Sequence, residues 1–150
     1  MLTHPDFKEL LSVLNAHNVR YLVVGGYAVM KYSEPRFTKD LDLWISIDPE
    51  NARAVFAALQ DFGAPLSGLT EESFSKEGCF YQMGVPPLRV DVMMSLPGMT
   101  FEEAWPRRVM LELEETSIPF VSKEDLIRIK RASGRSQDLL DAKRLESETE

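Results

Sequence analysis

The chain has 150 residues, with 17 Lys plus Arg against 24 Asp plus Glu, a formal charge of −7 at pH 7, and 44% hydrophobic against 27% charged residues. That balance belongs to an ordinary globular domain able to bury a core without metal or disulfide staples, and it excludes disordered and collagen-like classes. The acidic excess argues against a broad, sequence-independent grip on DNA or RNA, which needs a basic face, but leaves room for a small nucleotide carried with Mg²⁺.

No apolar run approaches the about 18–20 residues of a membrane helix, and His4, Pro5, Asp6 and Lys8 interrupt the start where a signal peptide would be apolar. The expectation is one cytoplasmic domain over residues 1–150 with no membrane contact. Cys79 is the single cysteine, so any metal chemistry must use oxygen ligands.

Phe7, Leu10, Leu11 and Leu14 recur at helical spacing after Asp6, which reads as a cap. Tyr21 to Val24 reads as a short strand running into Gly25-Gly26 and a helix that Pro35 ends. Leu41 to Ile47 is a second strand, closed by Asp48-Pro49 as N-cap and first-turn proline. The helix that follows buries Ala52, Val55, Phe56 and Leu59 and stops at Gly63 and Pro65. Residues 65–76 read as loop with one helical turn. Cys79 to Val85 and Leu88 to Met94 are two strands joined across Pro86-Pro87, and Thr100 to Glu103 is a capping box opening a short helix. Val109 to Leu113 and Ile118 to Val121 are further strands. Helices then fill residues 122–146, the first capped by Ser122 and divided from the second by Gly134. Trp44 and the methionines Met83, Met93, Met94 and Met99 read as packing, and His4 and His17 as surface. The fold class expected is α/β (α+β): a small mixed sheet flanked by helices.

The chemistry concentrates in Asp40-Leu41-Asp42-Leu43. Asp is depleted in strands, yet two stand here at i and i+2, on one face, while Leu41 and Leu43 point to the other. Like charges so placed repel, and a divalent cation between them relieves the repulsion; Mg²⁺ prefers such hard oxygens together with substrate phosphates. The bland alternative is an edge strand facing water. Asp91, between Val90 and Val92, interrupts another apolar strand. Alone it reads equally as a surface residue, but with Asp40 and Asp42 it makes a trio of carboxylates suited to phosphoryl chemistry. Gly25-Gly26, at a strand end opening a helix, lets backbone approach a phosphate at the helix N-terminus. From the last helices, Lys130 and Arg135 offer cations that could reach phosphate, or Arg135 could simply pair with Asp138 and Asp141.

Taken together, Gly25-Gly26, Asp40-Leu41-Asp42 and Asp91 resemble the nucleotidyltransferase fold of the DNA polymerase beta superfamily, especially its small stand-alone members related to abortive-infection toxins. Arg36 and Thr38 before the acid pair, and Lys130 with Arg135-x-x-Asp138-x-x-Asp141 after it, extend the resemblance over about residues 20–145. Many superfamily members carry Gly-Ser at the turn where this chain has Gly26 followed by Tyr27. The resemblance implies a nucleoside triphosphate bound with Mg²⁺ or Mn²⁺, transfer of its nucleotidyl group to a hydroxyl of RNA, protein or a small molecule, and release of pyrophosphate. It implies Asp40, Asp42 and Asp91 as catalytic metal ligands and Gly25, Gly26, Lys130 and Arg135 as nucleotide contacts. Arg36 and Thr38 would orient the loop before the acids. The competing expectation is a non-catalytic nucleotide-binding or regulatory module on the same fold, for example a toxin–antitoxin component acting with a partner protein.

Overall fold

The computed structural model describes residues 4–34, 38, 40–85 and 88–147. The helix stop read at Pro35, the loop role of Arg36 and the Pro86-Pro87 connection lie outside them.

Helix α1 spans Pro5–Ala16. Its cap is His4, whose Nδ1 accepts from the Asp6 backbone N–H at 3.2 Å, in place of the expected Asp6, which instead puts its charge in the first turn. Pro5 fits beside His4 because its missing N–H would have had no helical partner. Strand β1, Tyr21–Val24, passes directly into α2, Gly25–Tyr32, and β2 is Asp40–Ile45. Asp48 caps α3, Pro49–Phe62, and Gly63 closes it in the left-handed region at φ 94°. A 3₁₀ turn at Glu71–Ser75 interrupts the loop before strands β3, Phe80–Val85, and β4, Leu88–Met93. The capping box of Thr100 and Glu103 opens α4, Phe101–Ala104.

Strand β5, Val109–Leu113, and β6, Thr116–Phe120, form a hairpin whose turn places Glu114 and Glu115 at φ 48° and 72°. Such turns usually show Asn or Gly, so two glutamates hide the hairpin and β6 begins earlier than its apolar residues suggest. Ser122 caps α5, Lys123–Ser133, ended by Gly134, and α6 runs Ser136–Ser147. Among the described residues no helix is long and apolar enough to cross a membrane.

The six strands form one mixed sheet in the order β3-β4-β2-β1-β6-β5. Strand β2 lies antiparallel to β1 and parallel to β4, with Val24 opposite Asp42 and Asp42 opposite Asp91. Alternation sends Leu41, Leu43 and Ile45 into a face where they are fully buried. Tyr21 shares that face, and its hydroxyl donates to Asn15 Oδ1 of α1 at 2.9 Å, so α1 covers this side with α3 packed along it. Asp40, Asp42 and Trp44 point the other way. There Trp44 is buried edge-on against Phe101 of α4, 5.4 Å between ring centres, which leaves the acids at the open end of the same row.

Asn51 is the polar pin of the far side. It is buried at the start of α3, accepts from the Arg20 backbone N–H at 2.8 Å, and donates to the carbonyls of Arg20 at 3.1 Å and Ser46 at 2.8 Å. Removing it leaves the Arg20 N–H and the Ser46 carbonyl without partners, while the Arg20 carbonyl keeps the Ser46 backbone N–H at 3.4 Å; each orphaned group costs about 1–3 kcal/mol if it stays buried. Asn51→Ala is therefore expected to lose at least about 2 kcal/mol of stability, read as a fall in melting temperature of about 4 °C or more.

Candidate functional site

The site begins where β1 becomes α2. Gly25 sits at φ 69°, and a Cβ there would fall 2.1 Å from Asp42 Oδ2; one on Gly26 would fall 2.8 Å from Thr38 Oγ1. Both glycines are thus required by close approach, and Gly25 also by its backbone conformation. No side chain caps α2, so the partial positive charge of its start faces outward beside the acids. Tyr27 does not supply the hydroxyl that a Gly-Ser turn would place there. Its ring packs edge-on against Phe7 in the core, 6.1 Å between centres.

Register brings the acids together. With Asp40 opposite Arg89 and Asp42 opposite Asp91 across the parallel β2–β4 pair, four charged side chains share one face of the sheet. Burial, then the charges of Asp91 and Asp40, push the Asp42 carboxyl up to about 7, against the opposing pull of Lys130 and Arg89. Arg89 Nη2 donates to Asp40 Oδ2 at 2.7 Å and reaches Asp91 Oδ2 only at 3.5 Å, while Gln82 Nε2 on β3 donates to Asp91 Oδ1 at 3.0 Å.

Among the described residues no three His, Cys, Asp or Glu side chains close around a single point as a ready-made metal cage. The donor set nevertheless fits a hard divalent cation. Three carboxylates face one arginine across a single strand pair, and carboxylate oxygens are the ligands such a cation prefers. Asp40, Asp42 and Asp91 are the residues that could hold such an ion.

Opposite the acids stands a buried ion cluster on α5 and α6. Lys130, only 8% exposed, donates to Asp138 Oδ1 at 3.0 Å and Asp141 Oδ2 at 3.2 Å. Arg135 Nε donates to Asp138 Oδ2 at 2.9 Å. Burial raises the Asp138 carboxyl, but hydrogen bonds from Ser133 and Lys130 outweigh it and hold that group below its ordinary value. Of the two aspartates that could pair with Arg135, Asp138 does so, and both aspartates converge on Lys130.

A cavity of about 750 Å³ connects these parts, within the usual range for ligand pockets. It is lined by Gly25, Gly26, Asp40, Asp42, Lys130 and Arg135, with Met93, Leu96, Pro97, Leu126 and Ile129 as an apolar wall. Six of the seven residues singled out from the sequence line it. Asp91 does not; it adjoins Asp42 across the strand pair and turns toward Gln82 and Arg89. Sequence reasoning missed Arg89, although its position two residues before Asp91 in a strand places it on the acid face. It also missed Ser133 and Gln137, whose contacts depend on how α6 docks.

The family described as nucleotidyltransferase of unknown function (DUF6036) matches residues 6–147. No curated protein resembles the chain closely enough to count as a match. The lincosamide antibiotic adenylyltransferase LnuA, in a lincomycin-bound structure, is similar with a TM-score of 0.61 at 17% identity, over 98% of each chain. The antibiotic-resistance factor ANT(2'')-Ia is similar with a TM-score of 0.59 at 14% identity, over 95% of this chain and 81% of that one. An antigenic nucleotidyltransferase-like protein from Paracoccidioides brasiliensis gives 0.52 at 21% identity, over 93% and 75%. These likenesses establish a nucleotidyltransferase fold.

The raised Asp42 makes stability depend on pH. A carboxyl that titrates near 7 when folded and near 3.8 otherwise binds more protons folded than unfolded between those values, so stability falls as pH rises through that window. In chelator, Asp42→Asn is expected to melt at least about 2 °C above wild type at pH 8, with the gap closing toward pH 4. A variant that melts lower at every pH would assign Asp42 a structural role.

Proposed function

The chain belongs to the DUF6036 nucleotidyltransferase family, and from that premise we propose that it moves the nucleotidyl group of a nucleoside triphosphate to an acceptor hydroxyl. The observation that carries this reading is one cavity in which a glycine-lined helix start, two same-face aspartates and two basic side chains converge. The acceptor oxygen forms a bond to the α-phosphorus, the bond from that phosphorus to the bridging oxygen breaks, and pyrophosphate leaves.

Each part has a role in the proposal. The N–H groups at the start of α2 receive triphosphate oxygens, which Gly25 and Gly26 admit by carrying no side chain. Lys130, with its Nζ steered by Asp138 and Asp141, and Arg135 offer positive charge from the facing wall. Asp40 and Asp42 would hold Mg²⁺ or Mn²⁺, with Asp91 completing the set; such an ion would supply charge to neutralise the triphosphate and lower the barrier to oxygen attack. Asp91, oriented by Gln82, accepts the proton of the acceptor hydroxyl. The apolar wall excludes water from the reacting phosphorus.

The net charge of −7 disfavours an RNA acceptor and favours a small molecule or a protein side chain. Two structural neighbours fit the small-molecule choice, one bound to lincomycin and the other, ANT(2'')-Ia, solved with adenylyl-2''-tobramycin. Reaction in the cytoplasm, where triphosphates are plentiful, belongs to the same proposal. One observation favours a second reading. Arg89 already engages Asp40, as it would in a regulatory module, such as a toxin–antitoxin component, that binds nucleotide without turnover.

Two substitutions test the assignment with α-labelled triphosphate, Mg²⁺ and cell extract. Gly26→Ala should weaken triphosphate binding at least about tenfold, the equivalent of one charge-assisted hydrogen bond. Asp91→Asn should keep triphosphate affinity within about threefold while label transfer falls at least about 10²-fold. A wild type that binds triphosphate but labels no acceptor would support the regulatory module instead.

A further inference from the structure

Arg89 is the group the sequence did not point to, and its bonding is unlike that of an arginine fixed for structure. Arg107 provides the contrast within the same molecule. Its Nε donates to Asp125 Oδ2 at 2.9 Å and its Nη2 to Oδ1 at 3.0 Å, a two-pronged grip on a carboxylate that is itself buried. Arg89 instead spreads its fork across two carboxylates. One short bond, 2.7 Å, goes to Asp40; the contacts to Asp91 are long, at 3.4 and 3.5 Å; and its Nε is buried without a hydrogen-bond partner. The guanidinium is therefore well placed electrostatically and poorly satisfied geometrically.

Its position follows from register. Strand pairing sets Arg89 beside Asp40, and the period of two sets it on the same face as Asp91, so the cation stands among the acids by construction of the β2–β4 pair. The lone pairs of Asp40 Oδ2 that accept from Arg89 are ones a divalent cation would need. With Arg89 drawn in, the acids do not converge on one point, in keeping with the lack of a closed three-carboxylate group among the described residues.

We infer that Arg89 is a resident counter-ion that competes with the divalent cation for Asp40 and Asp91, so that loading the site requires Arg89 to release Asp40. The inference rests on the carboxylate site of the proposed function and concerns what guards it. Arg89 acts here through Asp40 and Asp91, as a positioning residue: it keeps three neighbouring carboxylates tolerable while the site is empty and raises the cation concentration needed to fill it. A single-point grip suits that task, because a two-pronged one would not let go.

The test is Mn²⁺ binding to nucleotide-free protein, followed by the electron paramagnetic resonance signal of free Mn²⁺. Arg89→Gln, which keeps polarity and removes charge, is expected to bind Mn²⁺ at least about tenfold more tightly than wild type, since one like charge at contact distance is lost. Arg89→Lys restores the charge and should return the affinity toward wild type. A merely structural Arg89 would give the opposite result, weaker binding in the Gln variant. Unchanged or weaker Mn²⁺ affinity in Arg89→Gln, with Asp42→Asn still abolishing binding, overturns the inference and leaves the carboxylate site standing. Binding that is absent from wild type and all variants overturns the inference, and its absence in the presence of triphosphate as well overturns both. The wild type supplies an independent measurement should a variant fail to fold: on titration with Mg²⁺ the Arg89 Nε–H resonance should shift in step with binding, and a resonance that stays fixed at saturation overturns the release.

Discussion

The site depends on one absent atom. Antiparallel pairing sets Val24 opposite Asp42, and the chain turns into α2 at the very next residue, so the helix start and the carboxylate are forced into the same space. Only a residue without a Cβ can stand at that junction, where Asp42 Oδ2 already occupies the position a side chain would take. The positive end of a helix and a half-buried acid are thereby locked side by side. In the proposed reaction, triphosphate oxygens and a cation would approach this same corner from a single cavity.

Around that corner the charges are balanced in two separate groups. On the sheet, Arg89 stands among three aspartates; on the helices, two aspartates hold Lys130 and one of them also holds Arg135. Each group contains its own opposite charges, which lowers the cost of keeping ionised side chains partly out of water. The balance is uneven. The helical cluster is densely hydrogen-bonded, with Ser133 and Gln137 adding donors to Asp138 and Asp141, whereas the sheet group leaves Asp42 raised and an arginine N–H unpartnered. The sheet side is therefore the less satisfied half, and the helical side the more fully hydrogen-bonded one.

Much of this was legible before the structure. The strand at Tyr21–Val24, the Asp48 cap, the Gly63 stop, the Thr100 capping box and the Ser122 cap are local signals, and each element appears where its signal stood. The pairing of Asp40 with Asp42 on one face needed only the period of two. The remainder depends on distance in space rather than in sequence. That Arg89 faces Asp40, that Asp91 bonds to Gln82 beside Asp42, and that Lys130 is gripped by α6 are consequences of strand order and helix docking, which no local pattern contains. The cap at His4 and the hairpin through Glu114-Glu115 were missed for a different reason: each uses a residue type that seldom takes that role.

The parallel pairing of β2 with β4 also governs the order in which the molecule can mature. Parallel neighbours cannot meet through a tight turn, and here α3, a long loop and the whole of β3 intervene before Asp91 can reach Asp42. Lys130 and its partners come later still along the chain. During synthesis, the glycine junction and the first acid pair emerge well before anything that can close over them. An unfinished chain would present an exposed acidic sheet edge with no basic wall, so the cavity can only be completed once α5 and α6 have been made and docked.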